Sequence, residues 1–283
     1  LFVLSLRVSS LHFTLGTLCI ATSYIGGAGL SFLYFNLILP IVRPLLMIIF
    51  ISVAVVIFRF IREERERHFI HSTFGRYLSK EVVNELLNSP HGLEMSGESR
   101  QVTFLVSDLR GFTSISEKLS PHDVIQILNH YFERMVEIIA RYRGTVDELQ
   151  GDGLLVFFGA PLSARDDSER AVACAIEMQS TMPEINRYQR QKNFPQLSMG
   201  IGINTGEVVV GNIGSKKRTK YGAVGTPINR TYRIESHTVG GQVLISPRTY
   251  GKISSKINIR ETFQVHFKGV EHPVTLYDVI GIE

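Results

Sequence analysis

Cysteine is nearly absent from this chain: its 283 residues hold only Cys19 and Cys174. Two isolated cysteines make neither a disulfide framework nor a metal-ligand spacing, which fits a reducing cytosol. Charge is missing from the first part, where residues 1–61 carry only Arg7, Arg43 and Arg59 among many Leu, Ile, Phe and Val. No long basic tract with interleaved aromatics occurs and the net charge is only +4, so nucleic acid is not expected as a partner. No glycine-rich loop ends in Gly-Lys-Ser/Thr, which argues against a P-loop phosphate site. Lys216-Lys217-Arg218 reads instead as a solvated loop.

What is present at the start is two apolar runs. A helix crossing a bilayer takes roughly 20 predominantly apolar residues, and residues 11–34 and 41–60 each meet that requirement. Asn36 and Pro40 read as a tight turn between them, and Pro44 is tolerated in the first turn of the second helix. Residues 1–6, ended by Arg7, read as the tail of a third span. The alternative is a buried hydrophobic hairpin in a soluble domain. A secretory signal is excluded by the double span and the lack of a cleavage-type segment. Arg59, Arg62, Arg65 and Arg67 follow the second run and Arg7 precedes the first, so the positive-inside rule puts both flanks in the cytoplasm. A multi-pass protein of the cell (inner) membrane is expected, in contact with lipid and with its C-terminal domain cytoplasmic. Leu1 in place of Met leads us to expect a missing N-terminal extracellular sensor. Arg62-Glu63-Glu64-Arg65-Glu66-Arg67 places opposite charges at helical spacing and continues the second span as a solvated helix, either a lever for signals or a passive spacer. The expected organisation is a membrane region over 1–61, a juxtamembrane helical linker over 62–97 and a soluble domain over 98–283.

In the soluble domain a helix over 79–87 leads into a flexible connection over 91–97 and a strand over 101–107. Ser120 is a good N-cap, with Pro121 at the first helical position and Asp123 three residues on, opening a helix to about Tyr142 that Gly144 ends. Strands over 145–150 and 154–158 are joined by the turn Gly151-Asp152-Gly153. A second long helix covers 167–190. Strands over 197–203 and 207–211 form a further hairpin around Asn204-Thr205-Gly206, and Thr226-Pro227 opens a helix to Glu235. Strands near Val243, Val265 and Val279 complete the domain. This order predicts an α+β fold of the ferredoxin-like type, with helices on one face of an antiparallel sheet.

Two carboxylates stand beside glycines at the ends of apolar, strand-like runs. Asp108 lies in Val106-Ser107-Asp108-Leu109-Arg110-Gly111-Phe112-Thr113 and Asp152 in Glu148-Leu149-Gln150-Gly151-Asp152-Gly153. Either alone reads as a turn or capping residue. In the expected sheet order both converge on one edge. With phosphate oxygens and waters they complete the octahedral oxygen shell that Mg²⁺ or Mn²⁺ prefers. The turn after Asp108 can aim several amide N–H groups at an anion, and Gly111 lets a phosphate approach the main chain.

Asp108 with Gly111-Phe112-Thr113, Gly151-Asp152 followed by Phe158-Gly159, and Val224-Gly225 with Asn229 and Arg233 resemble the class III nucleotidyl cyclases, from about residue 100 to the C-terminus. This is the adenylyl and guanylyl cyclase catalytic domain. The two-span stem with Thr73-Phe74-Gly75-Arg76-Tyr77 resembles bacterial cyclases that carry an extracellular CHASE-type sensor. The resemblance implies attack of a ribose 3′-OH on the α-phosphate of ATP or GTP, giving a 3′,5′-cyclic nucleotide and pyrophosphate. It implies that Asp108, Asp152 and the Leu109 backbone hold two Mg²⁺ or Mn²⁺ ions. Gly111, Phe112, Thr113 and Lys268 would contact the phosphates. Asn229 would orient the ribose and Arg233 stabilise charge on the α-phosphate, and their i, i+4 spacing puts them on one helix face. Glu148 and Gly222 occupy the purine-reading positions. Adenylyl cyclases usually have lysine at the first and guanylyl cyclases glutamate, which can accept from guanine N1–H and the 2-amino group. Gly222 departs from the usual Asp, Thr or Cys and offers no side chain, so the purine stays open with Glu148 on the guanine side. In the family the metal aspartates come from one protomer and the base, ribose and phosphate contacts from the other; this chain has both sets, which implies a homodimer with two equivalent sites. Gly222 also favours a rival reading, a catalytically silent cyclase-fold module for signalling or dimerisation. The Gly-Gly-acidic-acidic-Phe signature of diguanylate cyclases is absent.

Overall fold

The computed structural model describes residues 10–74, 97–215, 218–267, 269 and 272–282, in two compact units, Leu1–Arg76 and Tyr77–Glu283. The first unit holds helices α1, Ser10–Phe35, and α2, Val42–Phe74. Helix α1 has 26 residues, about 39 Å at 1.5 Å per residue. It stops where Asn36 takes a φ of 51°, a left-handed conformation that Asn tolerates. The Tyr24 hydroxyl donates to the Pro40 carbonyl at 3.0 Å and so ties the turn to α1. Ala28 and Val55 are buried, while Leu33, Phe35, Ile38 and Phe50 lie exposed. Among the described residues one helix is long and apolar enough, by length and composition, to cross a membrane, over Leu15–Phe35. A shorter apolar helical stretch covers Val42–Phe58. Helix α2 continues through the Arg62–Arg67 run to Phe74. The expected helix over 79–87, and the connection after it up to Gly97, lie outside the described residues.

The second unit is built on an eight-stranded sheet. Its strands are β1 Gly97–Leu109, β2 Thr145–Gln150, β3 Gly153–Phe158, β4 Met199–Ser215, β5 Arg218–Val224, β6 Val243–Ile245, β7 Ile257–Val265 and β8 Val274–Ile282. They run in the order β2-β3-β1-β4-β6-β8-β7, with β5 paired to β4. Only the β4–β6 pair is parallel among the described strands. The helices are α3 Phe112–Ser116, α4 Pro121–Arg141, α5 Asp167–Gln191, α6 Thr226–Glu235 and α7 Pro247–Ile253.

Strand β1 lies inside the sheet and is apolar on both sides. Leu105 and Leu109 join the larger core with Ile127, Tyr131, Met178 and Ile201, while Val102, Phe104 and Val106 join a second core with Phe157 and Val208. Helices α4, α5 and α7 cover the first face. Helix α6 covers the other through Ile228 and Tyr232, so the expectation of helices on one face is corrected. Residues of β4 explain how α6 fits: successive residues on its side are Gly200, Gly202, Asn204 and Gly206. A Cβ at 202 would collide with the Glu235 backbone of α6, and one at 206 with Pro227. The Asn204 amide donates to the Pro227 carbonyl at 3.0 Å.

The expected hairpin around Asn204-Thr205-Gly206 is not formed. These residues lie in the middle of β4, opposite Phe104, Thr103 and Val102 of β1. Strand β5 and helices α3 and α7 were not expected. The other elements fall close to their expected bounds, and Ser120 caps α4 by accepting from Asp123 N at 3.2 Å. At the far end of α4 the left-handed residue is Arg143, with φ 56°. Gly144 serves space instead, since a Cβ there would sit 2.8 Å from both Ile139 and Phe158 side chains.

Candidate active site

Strand β1 pairs Ser107 with Leu154 of β3, so Asp108 emerges beside the β2–β3 turn. That turn is Gly151, in the left-handed region at φ 64°, followed by Asp152. The Leu109 N–H donates to Asp152 Oδ2 at 3.2 Å, which joins the two acidic runs directly. A Cβ at 153 would lie 3.3 Å from the Ser107 carbonyl oxygen and 3.5 Å from Asp108 Oδ2, so glycine there lets the hairpin close on Asp108. The Asp108 carboxyl is pushed above its ordinary value, first by burial and then by the Asp152 charge, with Arg110 opposing. Beneath them Tyr131 is fully buried. Its phenol is pushed up chiefly by burial, with the fields of Asp152 and Asp108 adding to it.

The donor set is oxygen only: two carboxylates that repel one another and the adjoining backbone. A hard divalent cation would neutralise that repulsion, so these residues fit Mg²⁺ or Mn²⁺. Among the described residues no group of three or more His, Cys, Asp or Glu is placed to hold a metal. Further ligands would then come from backbone, water or substrate phosphates.

After Asp108 the chain turns sharply. Gly111 adopts φ 70° and ψ 14° and caps α3. A Cβ there meets nothing within 4 Å, so its dihedral and not crowding calls for glycine. Phe112 is buried and anchors the turn, leaving Gly111 and Thr113 exposed. Arg110, overlooked in the sequence, forms an ion pair with Glu235 of α6. Its guanidinium also donates to Thr238 Oγ1 at 3.0 Å. The signal was the two-residue spacing from Asp108, which sends both side chains to the α6 face of the sheet.

On α6, Thr231 and Ile234 are buried, whereas Asn229 and Arg233 are exposed on the outer side. Glu148 is exposed on β2, and Gly222 is buried in β5. Between them stands Lys220, its Nζ 3.9 Å from Glu148 Oε2 and 3.2 Å from Asp147 Oδ1. Thus Asp108 and Asp152 are brought together, and Glu148 and Gly222 flank one lysine. Lys268 lies outside the described residues.

The family model for the adenylate and guanylate cyclase catalytic domain matches residues 95–281. The chain belongs to this cyclase family. Adenylate cyclase 1 of Rhizobium meliloti (strain 1021) is 30% identical over 212 residues, 74% of this chain and 32% of that protein. The chain therefore spans about a third of the length of that curated relative. Among solved structures, the guanylyl cyclase Cya2 is 52% identical with a TM-score of 0.65, over 67% of this chain and 96% of that one. The adenylyl cyclase CyaB from P. aeruginosa is 35% identical with a TM-score of 0.64, over 67% and 98%.

Proposed function

We propose that this cyclase-family chain converts a purine nucleoside triphosphate, GTP in preference to ATP, into the 3′,5′-cyclic monophosphate and pyrophosphate in a membrane-anchored homodimer. The observation that carries the reading is the meeting of Asp108 and Asp152 at one sheet edge, fixed by the Leu109 N–H on Asp152. Two Mg²⁺ or Mn²⁺ ions held there with the Leu109 backbone would lower the 3′-OH pKa and neutralise the triphosphate. Backbone amides at Gly111, Phe112 and Thr113 meet the phosphates, with Lys268 at their far end. Across the dimer, Asn229 orients the ribose and the Arg233 guanidinium donates to the α-phosphate as charge develops. Losing such a donor typically costs about 3 kcal/mol in the transition state.

The guanine preference rests on Glu148, an exposed carboxylate that can accept from N1–H and the 2-amino group. The 52% identity to a structure described as a guanylyl cyclase supports it. Membrane anchoring by two spans with the cyclase domain cytoplasmic rests on large exposed apolar side chains of α1 and α2 and on the arginines that follow the second span. The 62–97 segment then links anchor to catalytic domain, and a sensor outside the membrane would act through it.

Paired turnover of ATP and GTP by the full chain, with Mg²⁺ and with Mn²⁺, tests this reading. A higher kcat/KM for cGMP formation is expected. A far better kcat/KM for cAMP overturns the guanine preference, and no product from either purine makes the chain a silent module.

A further inference from the structure

Helix α6 presents Asn229 and Arg233 on its outer side, and different residues fix its two ends to the sheet. At the first turn the Pro227 carbonyl accepts from the Asn204 amide at 3.0 Å. At the last turn the fixing residue is Arg110, from the loop that follows Asp108. Its backbone N–H donates to the Ser198 carbonyl at 2.7 Å, which holds that loop against the chain entering β4. Its guanidinium then crosses β4 at Gly200, where a Cβ would stand 2.6 Å from Nη2. Beyond the crossing, Nη2 pairs with the Glu235 carboxylate and donates to the Glu235 carbonyl at 3.3 Å and to Thr238 Oγ1 at 3.0 Å. The Thr238 hydroxyl in turn donates to the same carbonyl at 2.7 Å. The Arg110 side chain is 27% exposed and that of Glu235 only 9%, so salt screens the pair less than a surface pair.

Burying two charges costs desolvation, and an apolar pair of similar volume often serves stability as well or better. What the Arg110–Glu235 pair adds is a fixed geometry. Helix α6 has ten residues, about 15 Å, with Asn229 near the end held by Asn204 and Arg233 near the end held by Arg110. We propose that Arg110 is a positioning residue for the cyclisation, acting through Glu235 to hold Arg233 where the α-phosphate needs it. Without Arg110 the helix pivots about its Asn204 end, so Arg233 moves further than Asn229. The loss then falls on kcat more than on KM, because Arg233 acts as charge develops on the α-phosphate. The inference rests on the proposed function of the same site. Arg110 also sets a positive charge against Asp108, and Glu235→Gln separates the two roles: it breaks the tie to α6 and leaves that charge in place.

The test is steady-state kinetics of the full chain with Mn²⁺ and whichever of GTP and ATP it turns over better. In Glu235→Gln, kcat falls by roughly 10- to 100-fold, the range that a small misplacement of a catalytic group produces. KM for the nucleotide and the Mn²⁺ concentration at half-maximal rate change little. Arg110→Met behaves in the same way, and the two together lose no more than the larger single loss, as expected of partners in one contact. Arg110→Lys keeps a charge for Glu235 and recovers part of kcat. Melting temperatures with and without Mn²⁺ show that each variant is folded and still binds metal; Glu235→Gln, which keeps the side-chain volume, decides alone if Arg110→Met does not fold. A kcat that survives Glu235→Gln overturns the inference, whether or not the melting temperature falls. So does a kcat that returns at saturating Mn²⁺, which assigns Arg110 to the metal instead. An unaltered chain that forms no cyclic nucleotide removes the proposed function itself, and this inference with it.

Discussion

Asp108 bears two opposed demands. Its charge is what a divalent cation needs, yet burial and Asp152 both disfavour that charge in the metal-free protein. A carboxyl whose folded pKa is raised contributes stability that is full below the unfolded value of 3.8 and is lost as pH rises through the folded value. At neutral pH the ionised group therefore costs stability. Asp108→Asn is expected to raise the metal-free melting temperature by about 2–4 °C, the shift that ~1 kcal/mol gives in a domain of this size, while lowering turnover by about 100-fold or more. Thermal melts with and without Mn²⁺ check the first part, because added Mn²⁺ should stabilise the unaltered chain and not the variant. Asp278 follows the same sign with no catalytic part. It is buried on β8, raised chiefly by burial, with the Arg260 guanidinium 3.5 Å away and Gln242 donating at 3.3 Å. The unaltered chain should lose stability relative to Asp278→Asn as pH rises above 3.8 and through the raised folded value, read as the difference between their melting temperatures. A difference that stays flat over this range would show that Asp278 is adequately paired as an anion.

At the scale of elements, the site depends on how closely α6 approaches β4. Gly202 has Glu235 of α6 where a Cβ would stand, and α6 carries Asn229 and Arg233. Gly202→Ala should lift or tilt the helix, costing about 1–3 kcal/mol by overpacking and lowering kcat more than KM. Denaturant melts and steady-state kinetics read the two effects separately. The same strand marks where sequence reasoning stopped. Asn204-Thr205-Gly206 has turn composition, and a turn was expected there. Its residues are polar for other reasons: Asn204 donates to Pro227 on one face, and Thr205 shares its hydroxyl with Thr103 and Thr249 on the other. Pairing with β1 along its whole length overrides the local preference. Elements whose signals are local, such as the Ser120-Pro121 cap and the Gly151-Asp152 turn, were legible. Strand β5 was not, because its start lies in the basic run that reads as a solvated loop, and neither was the bulge of β2 at Asp147, whose side chain pairs with Lys220 on a distant strand.

For the whole molecule, the question is whether one chain can complete a site alone. Asp108 and Asp152 meet within the chain, and Glu148 lies on the strand that leads into the Asp152 turn. A single nucleotide cannot be gripped from both sides by one short hairpin, and the proposed homodimer has a second copy supply the base, ribose and phosphate contacts. Asp108→Ala abolishes the metal half of every site it enters, and Arg233→Ala abolishes the phosphate half. Each homodimer should be dead. In a mixed dimer one site receives both lesions and the other receives neither, so half of the sites in such dimers are whole. With random exchange half of all dimers are mixed, and recovery to about a quarter of unaltered activity is expected, since effects in separate sites add. The two variants are expressed together, so that mixed dimers can form during synthesis. Co-expression that stays at the level of the single variants, with both chains present in one purified dimer, would show that each chain builds its site alone.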